Sequence, residues 1–318
     1  MAKGDFFTAQ VERITSGGAG IARLDGKSVF IELTAPGDTV SFRIQKERKA
    51  WAEGELLEIL EPSSQRVTPV CPLYGCCGGC SLQHLNYEAQ IESKTAILRD
   101  ACIRIGGFDP PTIGVRGSAP FEYRNRVQFH KIEELNHSKL GFMERKSSQL
   151  VELKDCPVAD AGIRNALKAG TIKAPNKKRF NVYSQGNTFL CEGGAEQGRV
   201  SILGRELAMD VTVFFQSNAA MLELLIKDIE AAASGADKNL GMADIYCGVG
   251  TFAAFLGNKF SSVDLVEENK KALALARENV QAPKINYYAL SDTAWIKAHG
   301  NRGKENPWGF VVLDPPRE

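Results

Sequence analysis

The sequence predicts a multi-domain chain: a small N-terminal β-barrel, a central α+β region and a C-terminal α/β domain with a doubly wound parallel sheet. Three observations carry that reading. Five short β-rich runs crowd into the first 60 residues. Four of the eight cysteines lie between Cys71 and Cys80. From about Phe214 onward, strand-like and helical runs alternate, which is the pattern of a parallel sheet with crossover helices. The corresponding boundaries are 1–61, 62–205 and 206–318. With 43% hydrophobic and 24% charged residues, the 318-residue composition excludes collagen-like, coiled-coil and largely disordered chains. There is no apolar run of membrane-spanning length, and Met1-Ala2-Lys3-Gly4-Asp5 lacks a signal peptide's apolar core, so the expected location is cytoplasmic.

The barrel strands are read as Phe6–Ile14, Gly20–Leu24, Ser28–Leu33, Thr39–Gln45 and Trp51–Leu60. Asp25-Gly26 between two of them is a hairpin signal, because both central residues of a type I′ turn need positive φ. Five such strands suit a barrel of the oligonucleotide-binding type. Arg43, Lys46, Arg48, Lys49 and Trp51 would offer cations beside an aromatic ring. A helix is expected over Tyr87–Ile105, then β-rich runs at Tyr123–His130, Leu140–Glu144, Gln149–Leu153, Phe180–Tyr183, Thr188–Glu192 and Arg199–Leu203. Beyond Phe214, Ala219–Ala233, Thr251–Gly257 and Asn269–Val280 read as helices. Leu240–Tyr246, Ser262–Val266, Ile285–Ala289 and Phe310–Leu313 read as strands.

The net charge of +1 conceals an asymmetry: residues 206–318 hold 11 Lys/Arg against 15 Asp/Glu, and residues 1–205 hold 28 against 23. A polyanion partner for the first two-thirds and a small ligand for the last third fit that split. Six cations and no acid lie between Arg164 and Arg179 (Arg164, Lys168, Lys173, Lys177, Lys178, Arg179).

The segment Cys71-Pro-Leu-Tyr-Gly-Cys76-Cys77-Gly-Gly-Cys80 places thiols beside a Gly-Gly turn, which points to a metal site rather than to disulfides. Cys71, Cys77 and Cys80 need a fourth ligand, for which Cys156 in Asp155-Cys156-Pro157 is the candidate and Cys76 a substitute. Zinc and an iron–sulfur cluster both remain open on the residues. Three clustered cysteines plus a distant one is the commoner pattern for a four-iron cluster. Cys102 and Cys191 read as buried thiols.

Asp244-Ile-Tyr-Cys-Gly-Val-Gly-Thr251 follows a strand and opens a helix. Gly248 and Gly250 permit a tight turn and close backbone approach to a ligand. Glu267, at the end of the next strand, is placed to accept ribose hydroxyls. The loop is short for a pyrophosphate cradle, so a nucleoside without phosphate, S-adenosylmethionine, fits better than a dinucleotide. Asp314-Pro315-Pro316 ends the last predicted strand, where ligands of doubly wound folds sit.

In this order the chain resembles the bacterial RNA uridine-C5 methyltransferases that combine a TRAM domain with an iron–sulfur cluster. The resemblance is carried by Ile21-Ala-Arg-Leu-Asp-Gly26, Ala35-Pro-Gly-Asp38, Cys71…Cys77-Gly-Gly-Cys80-Ser-Leu-Gln-His84 and Tyr123-Arg-Asn-Arg126. Asp155-Cys-Pro157, Phe214-Phe-Gln-Ser-Asn218, Asp244–Thr251 and Leu313-Asp-Pro-Pro-Arg317 complete it. It implies a [4Fe–4S] cluster on Cys71, Cys77, Cys80 and Cys156, and S-adenosylmethionine contacts at Gln216, Tyr246, Gly248, Gly250, Thr251, Glu267, Ser291 and Asp314. Tyr123, Arg124 and Arg126 resemble an RNA-facing segment. The implied partner is RNA, with 23S ribosomal RNA favoured because TRAM domain and cluster usually occur together in the ribosomal enzymes. The implied chemistry is thiolate addition at uracil C6, methyl transfer to C5 and loss of the C5 proton, on a base turned out of its stack.

In the family, the nucleophilic cysteine and the catalytic glutamate follow the next strand, which the resemblance places beyond Glu318. The expectation is therefore a methyltransferase domain truncated after its fourth strand, without catalytic residues and with an apolar strand edge exposed at Phe310–Leu313. A non-catalytic RNA-binding iron–sulfur protein is the alternative. An amino-methyltransferase leaves the cysteines unexplained and lacks an aromatic residue at Arg317. A radical enzyme would need C-x3-C-x2-C in place of the C-x5-C-x2-C present.

Overall fold

The computed structural model describes residues 1–133, 138–300 and 307–316. The first elements are β1 (Phe6–Ile14), β2 (Gly20–Leu24), β3 (Lys27–Ile31), β4 (Thr39–Glu47), β5 (Trp51–Glu61) and α1 (Tyr87–Arg104). Next come β6 (Arg126–Glu133), β7 (Ser138–Met143), β8 (Leu150–Glu152), α2 (Ala161–Ala169), β9 (Arg179–Gln185), β10 (Thr188–Cys191), β11 (Gln197–Ile202) and β12 (Arg205–Asp210). The last stretch holds α3 (Ala219–Ala232), β13 (Gly241–Ile245), α4 (Thr251–Leu256), β14 (Val263–Val266), α5 (Lys270–Asn279), β15 (Ile285–Tyr288), α6 (Asp292–His299) and β16 (Trp308–Leu313). They form two compact units, residues 1–117 with 141–152, and residues 118–140 with 153–318.

In the first unit, β1-β2-β3-β5-β4 closes into the expected five-stranded barrel, β4 returning to β1. Alternate residues point inward, so Val11, Ala22, Val29, Ile31, Val40, Phe42, Ile44 and Ala52 make a dry interior. The β2–β3 turn has Asp25 at φ 49° and Gly26 at φ 79°, the positive values a type I′ turn requires. The Ala35-Pro-Gly-Asp38 segment has a structural role: the buried Asp38 carboxylate accepts from Ala35 N at 2.6 Å and Ser63 N at 2.9 Å, and pairs with Arg66 at 2.9 Å. α1 starts at Asn86, whose side chain accepts from Ala89 N. It buries only Ala89 and Ser93, so Cys102 is half-exposed rather than the buried thiol expected.

In the second unit, β6 pairs antiparallel with β9 and β9 with β10, while β11 and β12 form a hairpin. β15-β14-β13-β16 is a parallel four-stranded sheet. Its core is continuous with β12, α3, α4 and α5 through Leu207, Met209, Leu222, Ile226, Phe252, Leu265, Leu273 and Ala276. Among the described residues β16 has β13 as its one neighbour, and Val311 and Leu313 stand exposed on it. α2, α6 and β12 go beyond the elements read from the sequence. α2 runs between the Asp160 cap and Gly170, which is left-handed at φ 63°, a start–stop pair that was available in the sequence. No described helix is long and apolar enough to cross a membrane.

Candidate functional site

β13, buried from Met242 to Ile245, carries the glycine loop at its carboxyl end. Three residues of that loop are left-handed: Tyr246 at φ 64°, Gly248 at φ 55° and Gly250 at φ 78°. They reverse the chain so that Thr251 begins α4 directly. A Cβ on Gly250 would lie 2.6 Å from Val280 Cγ2 and 3.1 Å from Ala276 Cβ, so this glycine lets the loop press against α5. Gly248 faces open space and needs glycine for its φ alone. Asn279 of α5 fixes the loop from behind, donating to Val249 O and Ala208 O, both at 2.9 Å.

Two acids meet the loop. Glu267 follows β14; its Oε2 accepts from Gly248 N at 3.0 Å and its Oε1 from Asn269 N at 2.7 Å. The predicted ribose acceptor therefore also braces the loop, with lone pairs left over for a ligand. Asp244, which sequence reasoning quoted without a role, is fully buried and accepts from Ala253 N at 3.2 Å, while its Oδ1 has no partner. Burial pushes its carboxyl up to about 7, and Asp314 and Glu267 push it the same way. The signal for it was an acid inside an apolar strand just ahead of Gly-x-Gly.

The structure brings Gln216 and Asp314 together. They are 98 residues apart, and Gln216 Nε2 donates to Asp314 Oδ2 at 3.1 Å. Asp314 follows β16, whose Leu313 is in register with Ile245 of β13, so the pair stands at the carboxyl end of the sheet near the glycine loop. Tyr246 bonds to Asp292, which raises its phenol pKa. Ser291 caps α6, its Oγ accepting from Ala294 N at 3.3 Å. Cys247 is buried, and desolvation, with Asp244 and Glu267 adding to it, pushes its thiol far above the ordinary range. Burial thus favours its neutral thiol, which packs in the core. Arg317 of the Asp-Pro-Pro motif lies outside the described residues.

In the first unit, the cysteine loop is stitched to the β7–β8 hairpin. Gly78 N donates to Met143 O at 3.0 Å, Arg145 N to Cys76 O at 2.8 Å, and the Arg145 guanidinium to Cys80 O at 2.5 Å. Burial raises the Cys77 thiol, and the nearby Cys80, Cys71 and Cys76 raise it further. These thiols are electrostatic neighbours. Among the described residues, however, no three His, Cys, Asp or Glu side chains converge as a metal ion requires. Cys156 is buried in the second unit.

The basic patches are partly neutralised. Arg164 bonds to Asp155 at 2.8 Å and to Glu122, Lys168 pairs with Asp155 at 3.3 Å, and Lys177 with Glu192 at 2.5 Å. Arg164, first among these partners, holds the Asp155 carboxyl down at about 2. On the barrel, Arg43 pairs with Glu55 at 2.5 Å, and Lys46 lies 5.4 Å from the Trp51 ring centroid. In Tyr123-Arg-Asn-Arg126, Arg124 is exposed, whereas Arg126 turns inward and donates to Val211 O at 3.3 Å.

Comparison with known proteins decides the family. Residues 2–57 match the TRAM domain and residues 218–317 the methyltransferase small domain. An uncharacterised RNA methyltransferase of Treponema denticola is 32% identical, covering 97% of this chain and 82% of its own length. The 23S rRNA (uracil(1939)-C(5))-methyltransferase RlmD of Azoarcus sp. is 39% identical, covering 98% and 84%. The chain belongs to the RNA uracil-C5 methyltransferase family. The RlmD of Legionella pneumophila strain Corby is similar at 38%, covering 98% and 82%. The fold of this family member also matches that of the Pyrococcus abyssi tRNA (uracil-54, C5)-methyltransferase, solved with S-adenosyl-L-homocysteine. That match has a TM-score of 0.64 at 22% identity and covers 97% of this chain and 83% of the other.

Proposed function

We propose that the protein transfers a methyl group from S-adenosylmethionine to C5 of a uridine in 23S ribosomal RNA. The observation that carries this is the convergence at the carboxyl ends of β13 and β16: a loop with three left-handed residues, braced by Glu267, beside the Gln216–Asp314 pair. S-adenosylmethionine supplies the electrophilic methyl. Gly248 and Gly250 let the backbone approach the ligand, and Glu267 offers acceptors to the ribose hydroxyls. Gln216 and Asp314 hold the methionyl end; Tyr246, Thr251 and Ser291 flank the nucleoside. The buried Asp244 is largely protonated below pH 7, which limits negative charge behind the loop. Activation of uracil C5 by thiolate addition at C6 requires an ionised cysteine, and Cys247 is unsuited to it. The closed barrel, with Lys46 against Trp51, supplies an RNA-contacting module.

A [4Fe–4S] cluster on Cys71, Cys77, Cys80 and Cys156 rests on the sequence spacing and the family resemblance, and no step of the reaction is routed through it. Iron and acid-labile sulfide analysis of anaerobically purified protein tests it, zinc without iron being the contrary result. The function is tested by transfer of labelled methyl from S-adenosylmethionine to unmodified 23S ribosomal RNA, with transfer RNA as the comparison substrate. Label appearing as 5-methyluridine in ribosomal RNA is the expected result; ribosomal RNA bound without label favours the non-catalytic RNA-binding alternative. Calorimetric binding of S-adenosylhomocysteine, lost in Asp314→Ala, tests the cofactor site separately.

A further inference from the structure

The second unit holds a cleft of about 490 Å³ lined by Phe121, Tyr123, Asn125, Asp160, Gln185 and Asn218, among others. Asn125 is 2% exposed, and its Oδ1 has no hydrogen-bond partner. The amide's orientation is fixed by a one-way chain of bonds. Gln185 Nε2 donates to Ser201 O at 2.9 Å, so Gln185 Oε1 is left to accept, and it takes the Tyr183 hydroxyl proton at 2.5 Å. The Tyr183 oxygen then accepts from Asn125 Nδ2 at 3.4 Å. With its NH2 committed to Tyr183, Asn125, which lines the cleft, keeps a buried acceptor unmatched. A buried acceptor without a donor is costly, and such groups in native proteins call for a partner.

The other polar groups narrow what that partner is. Asp160 lines the same cleft; its Oδ1 accepts from Gly162 N at 2.9 Å at the start of α2, leaving further acceptor capacity on the carboxylate. Phe121 and Tyr123 add half-buried rings of the kind on which unstacked bases lie. We propose that this cleft is a second nucleobase subsite, distinct from the one for the methylated uridine, and that it takes a base bearing an exocyclic amine. Adenine, cytosine and guanine each bring an N–H donor to Asn125 Oδ1 and Asp160. Uracil's one ring N–H is flanked by carbonyls on both sides, and these would be set against the two acceptors. The inference rests on the RNA-methylating reading and deepens it: the enzyme recognises its RNA partly through an extruded amine-bearing base near the target.

The test uses the full chain and fluorescently labelled 12-nucleotide single-stranded RNAs, oligouridylate and the same oligomer with one central A, C or G. Anisotropy titration is expected to show the amine-bearing oligomers binding roughly tenfold more tightly than oligouridylate. Asn125→Leu should abolish that preference, leave oligouridylate affinity unchanged, and leave the melting temperature equal or higher because an unpaired acceptor has been removed. Asp160→Asn retains a helix-capping side chain, and it should weaken the same preference even if the leucine variant does not fold. Equal binding of all four oligomers by the wild-type chain overturns the proposal, as does a uniform loss across oligomers in folded Asn125→Leu. Methyl transfer without base preference removes the subsite and keeps the proposed function. Base preference without methyl transfer does the reverse, and absence of RNA binding removes both.

Discussion

The glycine loop and the cysteine loop are both short, glycine-punctuated motifs, yet the structure treats them differently. At the glycine loop, the residues singled out by motif meet: Glu267 bonds to Gly248, and Gln216 to Asp314. At the cysteine loop, burial and the neighbouring thiols raise Cys77, but among the described residues no three ligand side chains converge as a metal ion requires. The glycine loop is specified by its backbone, through positive φ and its place at the end of a central parallel strand. A metal site needs several side chains to agree within tenths of an ångström, and spacing along the chain carries much less of that information.

The largest expected effect tests the backbone half of this contrast. Gly250→Ala should destabilise the protein by about 3 kcal/mol, because a left-handed alanine also overlaps Val280 and Ala276. Gly248→Ala, strained in φ but facing open space, should cost about 1 kcal/mol. Urea unfolding of both variants checks the ordering, and equal losses would contradict the close-approach argument.

The next prediction concerns pH. The Asp244 carboxyl is held near 7 when folded against 3.8 ordinarily, so folding favours its neutral form. Its contribution to stability is greatest below pH 4, declines as the pH rises toward 7, and is flat above that. Between pH 5 and 8 the wild-type chain should lose about 2–3 kcal/mol through this group, and Asp244→Asn should not. Parallel pH slopes for the two proteins would show that Asp244 is not the titrating group.

On the proposed cluster assignment, Cys77→Ala sharpens the cysteine half: it should remove all bound iron while leaving S-adenosylhomocysteine affinity unchanged. A wild-type chain that binds no iron under anaerobic purification would show the cysteine loop to be a structural turn tied to the β7–β8 hairpin. The smallest effect is at the barrel surface. Arg43→Met breaks a half-exposed pair with Glu55 and should cost at most about 0.5 kcal/mol in thermal unfolding. A larger loss would mean that the barrel depends on its surface charges.

Local regularities made much of the fold legible. The barrel strands, the Asp25-Gly26 turn, α1, α3, α5 and the four parallel strands all follow from alternation, turn residues and helical spacing within a few neighbours. Missing from the sequence reading were α2, α6 and β12. The two helices are short, and tertiary packing of Ile163, Leu167 and Trp295, rather than propensity, holds them. The six-cation run between Arg164 and Arg179 looked like a free basic patch because Glu122 and Asp155, which lie before it in the chain, and Glu192, which lies after it, return to neutralise half of it.

The sequence by itself determined where the glycine loop would lie, because positive-φ glycines after an apolar strand are a local requirement of that turn. Only the tertiary structure decided that Asp244 is sealed from water beside two other acids, and that Gln216 meets Asp314 across 98 residues. It alone shows that Asn125 is left with an unmatched acceptor in a cleft. Burial and long-range pairing come from how the layers pack, and that packing is a property of the whole unit rather than of any short stretch of residues.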